Sequence, residues 1–176
     1  MDTTLHLIDR LIAEHKTIGE KTQSIEKAVN DVTLLSNLKQ AKEAFVPGQS
    51  LQKEDLDKLD KMLVAINTWL EKHFNREETV LLPAVKKFGD RKLVTALDSL
   101  LFEHTDLKDR LLHSRKRVDE LKGGDLSQSL WETRASDTRT YISHTRKLLE
   151  THAARENHFL KELRQFVRKH SKGKEK

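Results

Sequence analysis

Cysteine is missing from all 176 residues of the chain, which excludes disulfides and any thiolate metal site. Proline occurs twice and glycine six times, too seldom for a turn-punctuated β architecture. No stretch approaches the roughly 18 consecutive apolar residues that a membrane span needs. The N-terminal segment MDTTLHLIDRLIAEH lacks the basic start and continuous apolar run of a secretory signal. The expectation is a soluble, cytoplasmic protein with no membrane partner.

Charge of one sign is also scarce except at the end. The formal net charge is +5, but acidic and basic residues alternate through stretches such as QKEDLDKLDK, the pattern of a solvated helix face. Only the tail, about residues 168–176 within RQFVRKHSKGKEK, is one-sidedly basic, and it reads as a frayed terminus. With no aromatic interleaving, no nucleic-acid partner is expected. Hydrophobic residues make up 36% and charged residues 35%. With so little Gly and Pro, that balance favours long amphipathic helices, in a chain long enough for one domain with its own core.

The apolar spacing predicts four such helices. The first runs from about Thr3 to Asn30 with Leu5, Ile8, Leu11, Ile12, His15, Ile18, Thr22, Ile25 and Val29 approximating one inward stripe. An irregular or short helical link through Leu34 to Phe45 ends at Pro47-Gly48. The second helix, from about Leu51, turns Leu56, Leu59, Leu63, Ile66, Trp69, Leu70, His73, Glu77 and Val80 inward, and Pro83 is expected to kink or end it. Gly89-Asp90 closes this half, with Asp90 as an N-cap. The third helix runs from about Lys92 to Leu121 with Leu93, Leu97, Leu100, Leu101, His104, Leu107 and Leu111 inward, and Gly123-Gly124 stops it. Asp125 with Gln128 has the spacing of a capping box. It should open a fourth helix that runs through Trp131, Tyr141, Thr145, Leu148, Leu149, His152, Glu156, Phe159 and Leu163. The fold class is all-α: an antiparallel up-down four-helix bundle within a single domain, 1–176, made of two αα-hairpin half-repeats, 1–89 and 90–176.

Six residues repeat one pattern across the two halves: His15, then His73 with Glu77, then His104, then His152 with Glu156. On a helix, an i+4 neighbour sits about 40° around the axis and about 6 Å along it, so both side chains face one point. One His-x-x-x-Glu alone is usually a weak surface pair. Two of them, each preceded by a lone core-facing histidine, make two chelating clips completed from two further helices. Four imidazoles and two carboxylates suit a dinuclear, borderline-hard metal centre, iron first. The alternative is a set of histidines that fill an apolar core. His6, His113, His144, His158 and His170 fall on other faces or too far along the axis. Glu78, about 140° from His73 around the helix, is expected to be a surface charge.

These residues resemble the hemerythrin-like (HHE cation-binding) domains. The matching motifs are Glu14-His15, HFNREETVLLP from His73 to Pro83, and Glu103-His104. The resemblance implies a four-helix bundle with a non-haem di-iron centre, ligands His15, His73, His104 and His152, and Glu77 and Glu156 bridging two iron ions. Oxygen-carrying members have a further histidine where this chain has Lys108, and their last carboxylate is an Asp five residues after its histidine. The present set is more similar to the subgroup associated with iron-sulfur centre repair and nitrosative or oxidative stress, and to iron-sensing and peroxide-handling relatives.

If each iron takes two histidines and both glutamates, an oxo or hydroxo bridge leaves one open position per iron. The ligand is then O2, NO or peroxide, and any enzyme activity is that of a di-iron oxidoreductase. The other readings are a metal-stabilised sensor module acting on a protein partner without turnover, an iron donor for iron-sulfur repair, and a structural zinc or manganese site. Leu11 and Leu100 are expected to keep the carboxylate side dry. Trp69, Leu148, Gly19 and Lys108 form the layer expected to admit a ligand.

Overall fold

The computed structural model describes residues 2–30, 50–88, 90–123 and 126–172. Its helices are α1 (Asp2–Asn30), α2 (Ser50–Arg76), a π-helical turn (Glu77–Leu81), α3 (Leu82–Phe88), α4 (Arg91–Lys122) and α5 (Gln128–Lys172). Helix α1 packs on α2 and α5, and α4 packs on α2 and α5. With α2, the π turn and α3 joined as one rod, these are the four rods of a bundle, and the described residues contain no strand.

The directions of the rods follow from what each contributes to the core. One apolar cluster joins Ile8 and Leu11 of α1 and Leu97 and Leu100 of α4 to Leu81, Val85, Leu160 and Leu163. It therefore gathers residues before the histidines of two rods and after the glutamates of the other two, which requires antiparallel neighbours. The second cluster, at the opposite end, joins Ile18, Ile66, Leu70, Leu107 and Leu149. Each fully buried leucine or isoleucine contributes about 1.5–3 kcal/mol, and these two apolar slabs offset the cost of the polar layer held between them.

Caps set the ends where they are described. The Asp90 side chain accepts from the Leu93 N–H at 2.9 Å, as its N-cap reading requires. Helix α5 begins at Gln128, and the hydroxyl of Ser127 accepts from the Leu130 N–H at 3.4 Å. Asp125 and the link from residue 31 to residue 49, Pro47-Gly48 included, lie outside the described residues. The buried Trp131 donates its indole N–H to the Leu121 carbonyl at 2.9 Å, tying α5 back to the end of α4.

The second rod corrects the expected register. Pro83 neither ends nor breaks it, because the preceding turn widens: the Leu82 N–H bonds the Glu77 carbonyl, five residues back. Pro83 has no N–H to give, and its ring clashes with the carbonyl four residues earlier in a regular helix; a π turn just before it relieves both. The extra residue rotates Val80 outward to 49% exposure and brings Leu81 in at 0%. Val80 is therefore not a core residue, and Leu81 takes its place.

Candidate metal centre

All six sequence-predicted residues meet in one layer. His15, His73, Glu77, His104, His152 and Glu156 are at most 4% exposed, and each points inward because it replaces an apolar residue in its helix stripe. His6, His113, His144, His158 and His170 are exposed.

The layer is built of two imidazole pairs with the carboxylates between them. The Nε2 atoms of His15 and His73 are 3.0 Å apart, and the rings of His104 and His152 stand edge to face at 5.1 Å. Glu77 faces both pairs: its Oε1 lies 3.0 Å from His73 Nε2 and its Oε2 lies 3.4 Å from His104 Nε2. Glu156 does the same with one oxygen, Oε2, at 3.1 Å from His15 Nε2 and 3.4 Å from His152 Nε2. Ligand atoms of His15, His73, Glu77 and Glu156 all lie within 4.8 Å of one another, as do those of His104, His152 and Glu156. Bonds of about 2.1 Å at right angles around one ion set neighbouring donor atoms about 3 Å apart, which is the spacing seen here.

Hydrogen bonding alone does not account for this layer. Both carboxylate oxygens of Glu77, both of Glu156, and the Nε2 atoms of His104 and His152 are buried without a hydrogen-bond partner. An orphaned buried polar group costs about 1–3 kcal/mol, so six in one layer is a heavy penalty unless a cation satisfies them together. Burial and the adjacent Glu156 push the Glu77 carboxyl well up. Glu156, against the same desolvation, is held well below the usual carboxylate range by the rings of His15, His152 and His73. Burial drives His104 down to about 4, with Glu78 opposing. His152 is raised in spite of burial, by Glu156 and Glu103.

Behind each imidazole stands a second partner, a role that the sequence alone assigned to none of these residues. His73 Nδ1 lies 2.9 Å from Glu14, His152 Nδ1 2.9 Å from Glu103, His104 Nδ1 2.9 Å from Glu78, and His15 Nδ1 2.9 Å from Asn157 Oδ1. Glu14 is in turn paired with Arg76 at 2.6 Å, and Glu103 with Arg155. Hydrogen bonds from Arg76 and His73 hold Glu14 below the usual range despite burial, and His152 and Arg155 do the same for Glu103. Nδ1–H donation to an acceptor leaves the Nε2 lone pair facing the centre, the orientation a metal-binding imidazole requires.

Glu78 is therefore more than a surface charge. It points away from the centre, as its angle demands, but the flank it occupies faces α4, where its Oε1 meets both His104 and Lys108 Nζ at 3.1 Å. The signal for this outer set was in the sequence: an Arg stands three residues after the histidine of each clip, and a Glu precedes each lone histidine.

A helical bundle with a buried layer of four histidines and two glutamates is a scaffold that can hold a metal cation. The profile of the hemerythrin HHE cation-binding domain matches residues 6–163, and the chain belongs to that family. No curated protein and no solved structure gave a significant match.

Proposed function

We propose that the chain is a non-haem di-iron protein that handles or senses O2, NO, peroxide or iron itself. Its ligands are His15 and His73 for one metal, His104 and His152 for the other, and Glu77 and Glu156 shared between them. The observation that carries this reading is the set of six buried donor atoms without hydrogen-bond partners, converging from four rods with each glutamate lying between two imidazole pairs. Imidazole and carboxylate without sulfur suit iron. Four protein donors per metal leave room for a bridging oxygen and a small ligand.

Two further features support a small ligand. A Cβ at Gly19, one turn after His15, would meet nothing within 4 Å beyond its own helix backbone, so α1 leaves room at that level. A cavity of about 20 Å³ lies two turns beyond the centre, among Thr22, Ile66, Leu111 and Thr145. The Thr22 and Thr145 hydroxyls there are spent on their own helices' carbonyls, which leaves apolar walls around a space for one diatomic molecule.

The test is anaerobic reconstitution of the metal-free chain with Fe(II), followed by a metal count and rapid mixing with O2, NO or peroxide. About two irons per chain and oxidation by one of these reagents is the expected result. A chain that holds only one zinc and takes up no iron would overturn it. A metal-stabilised sensor module is the second reading, favoured by the burial of four histidines and two glutamates in the middle of the core. Its mark would be a large loss of helicity on chelation, with no turnover of any of the three reagents.

A further inference from the structure

The two halves of the chain depart from their internal repeat beside both imidazole pairs: Trp69 stacks on His73 with ring centroids 6.3 Å apart, where the counterpart is Leu148, and the flanks of His15 and His104 differ as well. Glu78 holds His104 from behind, but the residue at the matching place behind His15 is Asn157. Phe74, one residue after the first clip's histidine, stacks on His104 with ring centroids 3.8 Å apart, and its counterpart is Ala153. Lys108, one turn after His104, lies 5.6 Å from the Phe74 ring centre and bonds Glu78; its counterpart is Gly19, beside open space.

The chemistry of the partner atoms decides what this asymmetry does. An ionised carboxylate only accepts hydrogen bonds. Glu14, Glu78 and Glu103 therefore fix His73, His104 and His152 with hydrogen on Nδ1 and a lone pair on the inward Nε2. An asparagine amide can rotate to offer either its oxygen or its NH2, so Asn157 allows His15 both tautomers, one of which places hydrogen on the inward nitrogen. A carboxylate behind the ring also makes the imidazole a more basic ligand than an amide does, and such outer partners are worth about 10–100-fold in metal affinity. Lys108 is a countercharge to Glu78, but at 38% exposure it faces solvent, where its field is screened.

We propose that the two metal positions are unlike: the His104/His152 position, walled by Phe74 and locked by Glu78 and Glu103, binds first and more tightly. The His15/His73 position, with Asn157 and Gly19 on the His15 flank and Trp69 over His73, is the looser one. Asn157 and Glu78 are positioning residues that set this order. The inference rests on the two-metal reading above.

The experiment is a stepwise anaerobic titration of the metal-free chain with Fe(II) against a competing chelator. Two steps are expected, separated by roughly tenfold or more in affinity. His15→Ala should remove the weaker step and His104→Ala the tighter one. Asn157→Asp, which keeps the shape and makes the partner acceptor-only, should tighten the weaker step toward the stronger. Glu78→Gln should weaken the tighter step alone. Helicity by circular dichroism is read in parallel, and the gain expected from Asn157→Asp cannot arise from misfolding. A single metal per chain would refute the two-metal reading. Two metals of equal affinity, or an Asn157→Asp change confined to the tighter step, would refute the inequivalence while leaving that reading intact.

Discussion

Replacing Glu77 with glutamine should separate two roles that a buried carboxylate ordinarily confounds. In the metal-free protein its carboxyl is pushed toward the protonated form by burial and by Glu156, and glutamine is close in shape to that neutral acid. The apo fold should therefore change by less than about 1 kcal/mol, the scale of volume-conserving core swaps. The metal-loaded protein should suffer far more. Glu77 lies 3.0 Å from His73 Nε2 and 3.4 Å from His104 Nε2, so its loss takes a donor from both metal positions. Free metal at 1,000 times the dissociation constant adds about 4 kcal/mol to a binding-competent fold. For a chain of 176 residues each kcal/mol is worth about 2–4 °C, so the expected stabilisation of the unmodified protein by Fe(II) is about 8–16 °C. Glu77→Gln should lose most of it. The assay is scanning calorimetry of apo and Fe(II)-reconstituted samples, with metal counted on the same material. An apo variant destabilised by more than about 2 kcal/mol that still binds its full complement of metal would show Glu77 to be a structural residue and refute the reasoning.

Glu156→Ala should likewise lose most of the iron, and more than His15→Ala does, since Glu156 approaches both imidazole pairs; metal analysis of the two variants decides it. The oxidised loaded protein should absorb in the near ultraviolet as an oxo-bridged ferric pair, and a featureless spectrum at two irons per chain would contradict the bridge. Lys108 is engaged with Glu78 and half-exposed, away from the centre, so reduced protein should be oxidised by O2 without a long-lived oxygenated form, and Lys108→His should lengthen that lifetime; repeated reversible oxygenation of the unmodified chain would count against this. For the apo protein, His104 titrates near 4 in the fold against about 6.5 when unfolded. Its contribution is fully present above 6.5 and is lost as pH falls toward 4. That is about 2 kcal/mol gone by pH 5, opposed by His152 and by Glu77, whose raised values stabilise the fold as pH falls. Melting curves at pH 7, 6 and 5 should therefore show His104→Gln gaining on the unmodified apo protein as pH falls, and an unchanged difference between the two would count against this.

The convergence of the six side chains was legible because its code is local. His-x-x-x-Glu on a helix converges by helical geometry alone, and the four inward stripes placed His15 and His104 in the same layer without any knowledge of crossing angles. The errors arose where a rule of 3.6 residues per turn was carried past Glu77. Val80 belongs to the inward face of a regular helix, and only the wide turn before Pro83 turns it out and Leu81 in. Glu78 was misjudged for a different reason: its azimuth on its own rod was right, but its role depends on α4 lying across that flank, and contact between rods is not written in the period of either one.

The same limit explains why the roles of Glu14 and Glu103 were missed although this pair obeys the repeat as faithfully as the ligands. Glu14 serves His73 and Glu103 serves His152, each reaching across to the neighbouring rod from the position just before a lone histidine. Arg76 and Arg155, each one residue before a central glutamate, then hold those outer carboxylates. Charge thus alternates outward from the centre: glutamate, imidazole, carboxylate, guanidinium. A buried layer of two acids and four bases is costly in isolation, and this alternation lets every imidazole but one be fixed by an anion that is itself neutralised at the surface. The exception, His15 with Asn157, is where the internal two-fold fails, so any functional difference between the two halves should be sought there first.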